Sequence, residues 1–461
     1  MKLNRIGVLA GSAILAFAAC TGGGSPSAAA PSSAPASSAA ASPSGDASPS
    51  ASASESAGTS PSASEVAKPQ VCEGKTGSGS TINVYSALPR QGSNTAQTNA
   101  LVESIREHLD GKTVGNATIR YTDLDDSSAA QGGDWDGAVA QANATRAAND
   151  PDAMVFIGHF NSGAAKLTIP ILNAACLVMI SPANTYPGLT TAVEGVTEPG
   201  EPELYYPNGY RNYTRVISTD NKQGGAGANW AQELGATKAY VLDDTQVYGK
   251  GLARSFALSA TELGIEVVSQ GGTSEGFDAR ATDYAALAQK IQASGADFIY
   301  IGSITGQNTG KLWKDLRAAM PDIDIMSGDG VFEEAWYEGA GEAGNGTYLT
   351  FGGVGPNEQQ SEDGKAWVAE YKAAHNNEDP PVYGIYGAAA AQLALDALGR
   401  ATNPTDRWEV LKAVFATTDF DSYLGTLSIK PDGDTTIAEA TGYRVEDAWP
   451  PAFEKVLVAP E

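Results

Sequence analysis

The sequence predicts an α/β protein of two lobes, each a mostly parallel sheet flanked by helices. Short apolar runs alternate with helical stripes from about residue 81 onward, and that alternation builds parallel sheets covered on both faces. The stretch 72–461 is also long for one hydrophobic core and natural for two.

Strands are expected at 81–88, 118–124, 153–159, 177–182, 215–218, 239–243, 266–270, 297–302 and 324–327. Helices are expected between them at 94–109, 162–174, 223–234, 249–263, 283–293 and 310–320. Leu101, Ile105 and Leu109 share one face of the first helix, and Tyr284, Leu287 and Ile291 show the i, i+3, i+7 spacing of an apolar stripe. In sheets of this kind ligands sit beyond the carboxyl ends of the strands, so function is sought in the loops that follow them.

Ahead of this body lies an export address. Lys2 and Arg5 precede an apolar run at 6–16, and Phe17-Ala18-Ala19-Cys20 closes it. The run is too short to span a bilayer of about 30 Å. The cysteine gives the site the form of a lipobox, in which Cys20 takes a diacylglyceryl group; Phe17 stands where that motif usually has Leu. Residues 21–71 are almost wholly Ala, Ser, Pro, Gly and Thr, a composition that cannot bury a core and reads as a disordered tether.

Twenty-nine Lys and Arg against 54 Asp and Glu give a net charge of −25, which argues against nucleic acid and against a basic membrane-surface role. With Cys20 lipidated, Cys72 and Cys176 remain as an even pair in an oxidising compartment. A disulfide is the expectation, and two buried thiols the other reading.

Catalytic signatures are thin. Gly272-Thr273-Ser274-Glu275-Gly276 fits G-x-S-x-G, and Ser274, Asp329 and His375 follow the chain order of an α/β-hydrolase triad. A nucleophile elbow, however, needs its serine on a sharp strand-to-helix turn, and 277–282 intervene. The glycine run 339–344 fits G-x-G-x-x-G but follows no expected strand. His108, His159 and His375 are scattered, and His159 reads as a structural hydrogen-bonding group rather than a metal ligand. No metal or cofactor is expected.

Several strand ends carry a more specific pattern. Ile157-Gly158-His159-Phe160-Asn161-Ser162, Met179-Ile180-Ser181-Pro182-Ala183-Asn184-Thr185, Tyr248-Gly249-Lys250-Gly251-Leu252-Ala253-Arg254, Asp297-Phe298-Ile299-Tyr300 and Gly328-Asp329-Gly330-Val331 resemble, in register, the substrate-binding proteins of branched-chain amino acid ABC transporters. That resemblance runs from about Ile82 to Glu446 and implies the type I periplasmic-binding fold with three hinge crossings. Lobe one would comprise 82–220 and 352–434, and lobe two 221–351 and 435–461.

The resemblance also implies site roles. Ser162 and Thr185 would hold a ligand carboxylate, the carbonyl of Ala183 would face its ammonium, Tyr248 would lie at the cleft, and Asp329 would pair with the ammonium. Helix capping is the other reading of Ser162 and Thr185, interlobe packing that of Tyr248, and a turn cap that of Asp329. Ile304 stands where the best-known members have a tyrosine, residues 89–95 lack their tryptophan, and Asn161 replaces one of their cysteines. Their side-chain pocket is therefore not carried over, and the segment 194–212 has no counterpart in them.

The expected protein is a monomeric, lipid-anchored solute receptor on the extracytoplasmic face of the cell membrane. It would deliver an amino acid, a branched-chain one among the candidates, to an ABC permease and do no chemistry on it. A sensory ectodomain reporting to a separate membrane partner would use the same cleft, and a secreted hydrolase would require turnover by Ser274.

Overall fold

The computed structural model describes residues 67–459; Cys20 and most of the expected tether lie outside them. Residues 67–71, assigned to the tether on composition, already belong to the body: Lys68 Nζ lies 2.9 Å from Asp406 Oδ2, and Gln70–Cys72 forms a short 3-10 turn.

The first sheet is built from β1 (Thr81–Leu88), β2 (Thr113–Val114), β3 (Ala117–Asp125), β4 (Ala153–Gly158), β5 (Val178–Ser181) and β6 (Tyr213–Arg215) in the order β2-β3-β1-β4-β5-β6. Only β2 runs antiparallel to its neighbour. The second contains β7 (Lys238–Asp243), β8 (Glu266–Val267), β9 (Glu275–Gly276), β10 (Phe298–Gly302), β11 (Asp324–Ser327), β12 (Tyr348–Phe351), and, beyond the small hairpin of β13 (Phe420–Ser422) and β14 (Gly425–Leu427), β15 (Ala440–Arg444) and β16 (Ala452–Leu457). Its order is β16-β15-β12-β11-β10-β7-β8, with β9 paired to β7 and the β12, β15, β16 edge antiparallel. Strands β4, β5 and β10 are buried at every position, which is why they read as unbroken apolar runs rather than alternating ones.

Helices α1 (Thr95–Leu109), α2 (Gly137–Asn149), α3 (Ser162–Ala174) and, much later in the chain, three more cover the first sheet; α4 (Asp220–Glu233) and α5 (Val247–Glu262) pack together on the second, with α6 (Ala285–Ser294), α7 (Thr309–Ala319) and α8 (Glu334–Ala340). After β12 the chain returns to the first lobe for α9 (Glu362–Ala374), α10 (Gly384–Arg400) and α11 (Arg407–Phe415). Two glycines permit close helix pairs: a Cβ on Gly387 would come within 2.8 Å of Leu101 O, and one on Gly224 within 2.8 Å of Phe256 N.

The chain thus passes between the lobes three times, and the crossings are bonded to each other. Ser218 N donates to Gly352 O at 3.2 Å, and Thr441 Oγ1 to Gly353 O at 2.9 Å. Cys72 and Cys176 form a disulfide in the first lobe, with Cα atoms 5.1 Å apart. Among the described residues, no helix is long and apolar enough to cross a membrane.

Two expected strands are corrected. The strand expected at 215–218 is Tyr213–Arg215, because Val216 to Ser218 already form the hinge crossing. The one expected at 266–270 stops at Val267, cut short by the turn at Gln270–Gly272.

Candidate ligand-binding cleft

The loops at the carboxyl ends of strands from both sheets meet at one small cavity, lined by Phe160, Asn161, Ser162, Ala183, Tyr248, Ile304, Asp329, Gly330 and Tyr383. Four of the five expected ligand residues are in its wall. Thr185 is not, although it lies in the same loop as Ala183, is buried, and has an Oγ1 with no hydrogen-bond partner. The cavity holds about 20 Å³, room for one water-sized group. A solute larger than that can enter only when the lobes part.

On the first lobe the two loops are tied into one unit. Ser181 Oγ donates to His159 O at 3.1 Å and accepts from the amides of Ala183 and Asn184 at 3.2 and 2.8 Å. Asn184 Nδ2 donates to Phe160 O at 3.0 Å. Beneath them His159 Nδ1 sits 2.6 Å from Asp126 Oδ2, both side chains fully buried, so this histidine serves the structure. Arg215, also fully buried, braces the loop from below: Nη1 donates to Asn184 O and Tyr186 O, both at 3.0 Å, while Nε meets Asp434 Oδ1 at 3.0 Å.

Ser162 is the first residue of α3, so the positive end of that helix's dipole lies at the cavity. Its Oγ accepts from Tyr186 N at 3.4 Å and makes no bond to an amide of its own helix. Capping is therefore not its role, and no helix is capped by the Thr185 side chain either.

The second lobe contributes Tyr248 from the first turn of α5, Ile304 after β10 and Asp329 after β11. Asp329 does not cap its turn with its side chain. Its Oδ1 accepts from Gln223 Nε2 at 2.5 Å and Tyr248 Oη at 3.1 Å, and its Oδ2 accepts from the hydroxyl of Tyr383. Tyr383 precedes α10 and belongs to the first lobe, so this bond crosses the cleft. Tyr248 Oη in turn accepts from Gly330 N at 3.0 Å. Burial raises the Asp329 carboxyl above its ordinary range, against the opposing pull of Tyr383, Gln223 and Tyr248.

A second carboxyl, absent from the sequence expectations, stands close by. Asp220 opens α4 at the first hinge crossing, is fully buried, and has no hydrogen-bond partner on either oxygen. Burial drives it well up against the opposing pull of the adjacent Thr185 hydroxyl, and the charge of Asp329 adds to the rise. Its position just past β6 obeys the strand-end rule and could have marked it. Tyr383 and Gln223 had no such signal: they sit 54 and 106 residues from Asp329 in the chain.

The hydrolase reading is not supported by this geometry. Ser274 Oγ donates to Asp243 Oδ2 at 2.6 Å, His375 Nε2 lies 3.1 Å from Glu103 Oε1, and Asp329 is engaged in the cleft. The three are bonded to different partners. The glycine run 339–344 forms the end of α8 and a following 3-10 turn.

A cavity between two hinged α/β lobes, lined from both sides by polar groups, defines a solute-binding protein. Comparison with known proteins gives the family: the model described as "Periplasmic binding protein" matches residues 89–448, and the chain belongs to that family. A curated relative, Leu/Ile/Val-binding protein homolog 1 of Brucella suis biovar 1 (strain 1330), is 28% identical over 365 residues, 79% of this chain and 86% of its own. The crystal structure of a leucine binding protein LivK from Thermotoga maritima MSB8 superposes with a TM-score of 0.69 at 24% identity, covering 82% of this chain and 99% of that one. A solute binding protein of an ABC transporter from Rhodopseudomonas palustris HaA2, in complex with p-hydroxybenzoic acid, gives 0.66 at 18% identity, covering 83% and 98%.

Proposed function

We propose that the protein captures an α-amino acid between its lobes and delivers it to an ABC permease, held outside the cytoplasm by a lipid on Cys20. One observation supports this reading above the others: anion-favouring and cation-favouring groups converge on a single closing cavity. Ser162 at the start of α3 suits a carboxylate. Asp329, with the buried and unpaired Asp220 near it, suits an ammonium. A zwitterion satisfies both ends.

The relatives bind different things, Leu/Ile/Val in the curated one by its name and p-hydroxybenzoic acid in one solved structure. An aromatic acid without an ammonium would bring its carboxylate into the cavity that Asp329 lines and offer that carboxyl no cation. The amino acid is therefore the favoured class. Ile304, Phe160 and Tyr383 make the remaining wall apolar and aromatic, in keeping with an uncharged side chain.

A thermal-shift screen of the purified chain against the L-amino acids and 4-hydroxybenzoate tests this, followed by calorimetric titration of the best ligand. A shift with an α-amino acid is expected. A shift with 4-hydroxybenzoate and with no amino acid would overturn it.

A further inference from the structure

The chain between β5 and β6, residues 182–212, is much longer than a simple connection between neighbouring strands needs. It folds as loops with two short 3-10 turns, Pro187–Leu189 and Glu203–Tyr205. One buried carboxylate holds it to the first lobe. Glu201 accepts from Tyr186 Oη at 2.6 Å, Lys166 Nζ at 2.9 Å, the amide of Glu198 at 2.8 Å, and the hydroxyl of Tyr205.

Three residues earlier the same segment reaches the other lobe. Glu198 Oε1 accepts from Lys250 Nζ and from Arg254 Nη1, both at 2.9 Å, and Arg254 Nη1 also donates to Val196 O at 3.2 Å. Lys250 and Arg254 lie one turn apart on α5, the helix whose first turn carries Tyr248. Between them, Gly251 leaves room for the ring of Tyr186: a Cβ there would come within 2.4 Å of its Cδ2. The residue that anchors the segment through Glu201 is thus also packed on the moving helix.

We propose that 194–212 is an interlobe strap, in which Glu198 is a positioning residue that holds α5, and with it Tyr248, against the cleft in the closed form. The inference rests on the hinge-closure reading of the two lobes. Opening the cleft moves α5 away from the first lobe and must break both bonds to Glu198. The Glu198, Lys250 and Arg254 side chains are 42%, 38% and 23% exposed, so the strap is weakened by salt and is modest in strength. Two such pairs acting together shift the ratio of closed to open molecules by roughly three- to tenfold.

The test is a distance measurement between spin labels on the two lobes, using the full chain with Cys20→Ser, Ala142→Cys on α2 and Ala286→Cys on α6, both exposed helix positions. In low salt the unliganded parent should show a short-distance population, and Glu198→Ala should transfer part of it to longer distances. High salt should do the same to the parent. Exchanging the charges, with Glu198→Lys, Lys250→Glu and Arg254→Glu together, should restore the short distance, a rescue that mere loosening of a loop would not give. With L-leucine as the probe, dissociation should be faster in Glu198→Ala by the same factor. Coincident distributions for the parent and Glu198→Ala, or a parent already open in low salt, would overturn the strap. The distances need no ligand, so failure of every amino acid to bind would sink the transport reading and leave this one standing.

Discussion

Replacing Asp329 by Asn should weaken amino-acid binding by roughly ten- to a hundredfold. A hydrogen bond to a charged group contributes about 1.5–3 kcal/mol, and 1.4 kcal/mol is tenfold in affinity. The carboxylate is buried at 5% exposure and accepts from Gln223, Tyr248 and Tyr383. An ammonium bonding to Oδ2 competes there with the Tyr383 hydroxyl, a neutral donor, so the lower half of the range is expected. Asn removes the charge and turns one acceptor into a donor facing groups that themselves donate. The fold should survive, because burial already disfavours the ionised acid. Acidification adds a second signature. The folded carboxyl titrates above its ordinary range, so affinity should fall as pH drops through that raised value in the parent and fall less in Asp329→Asn, where Asp220 alone remains to titrate beside the site. Calorimetric titration with the best-screened amino acid reads both. Undiminished affinity in the variant, with the same pH profile as the parent, would refute the ammonium-partner role.

Three further outcomes follow from the structure. Removing the Cys72–Cys176 disulfide, which closes a separation of 104 residues, should cost about 4–5 kcal/mol of stability on the chain-entropy argument; urea melts of the double Ser variant against the oxidised parent measure it. Burial pushes Glu333 up to about 8 and Asp244 up to about 7. The folded chain therefore keeps protons that the unfolded chain has released, so stability should decline as pH rises from the ordinary carboxylate range to about 8. Glu333→Gln, which can still accept from Asn94, should flatten that slope in melts taken across the range. Metabolic fatty-acid labelling should mark the parent and not Cys20→Ser; equal labelling would exclude the lipid anchor.

The parts of the fold legible in the sequence are those whose burial leaves a periodic trace. β1, β11 and α3 fall on their expected bounds, because apolar runs and a serine at the helix start mark them locally. α2 was missed: its sequence GAVAQANATRAAN offers little besides alanine as apolar signal, although Ala140, Ala144 and Ala147 are its buried face. α10 is buried at most of its positions, so it has no polar stripe to set its period. In the cleft, Ser162, Ala183, Tyr248 and Asp329 were expected because the strand-end motifs that hold them resemble those of the family, and all four line the cavity. Tyr383 was not, since it reaches the site from the start of a helix in the returning segment, and only the three-crossing topology brings it opposite Asp329.

That topology also governs the order in which the molecule can be completed. The strands of the first sheet have all been made by Arg215, yet the charge of this fully buried side chain is met by Asp434, 219 residues later. Thr214 Oγ1 likewise waits for Gly433 O, 2.7 Å away in the finished fold. A chain emerging from its N-terminus therefore passes through a long period in which the first lobe has its sheet but neither its last helices nor the partner of its central cation. An uncompensated guanidinium in that core is strongly unfavourable. The first lobe is therefore completed only when the segment that follows the second crossing returns, and a fragment ending at the first hinge crossing should be less stable alone than when mixed with that segment.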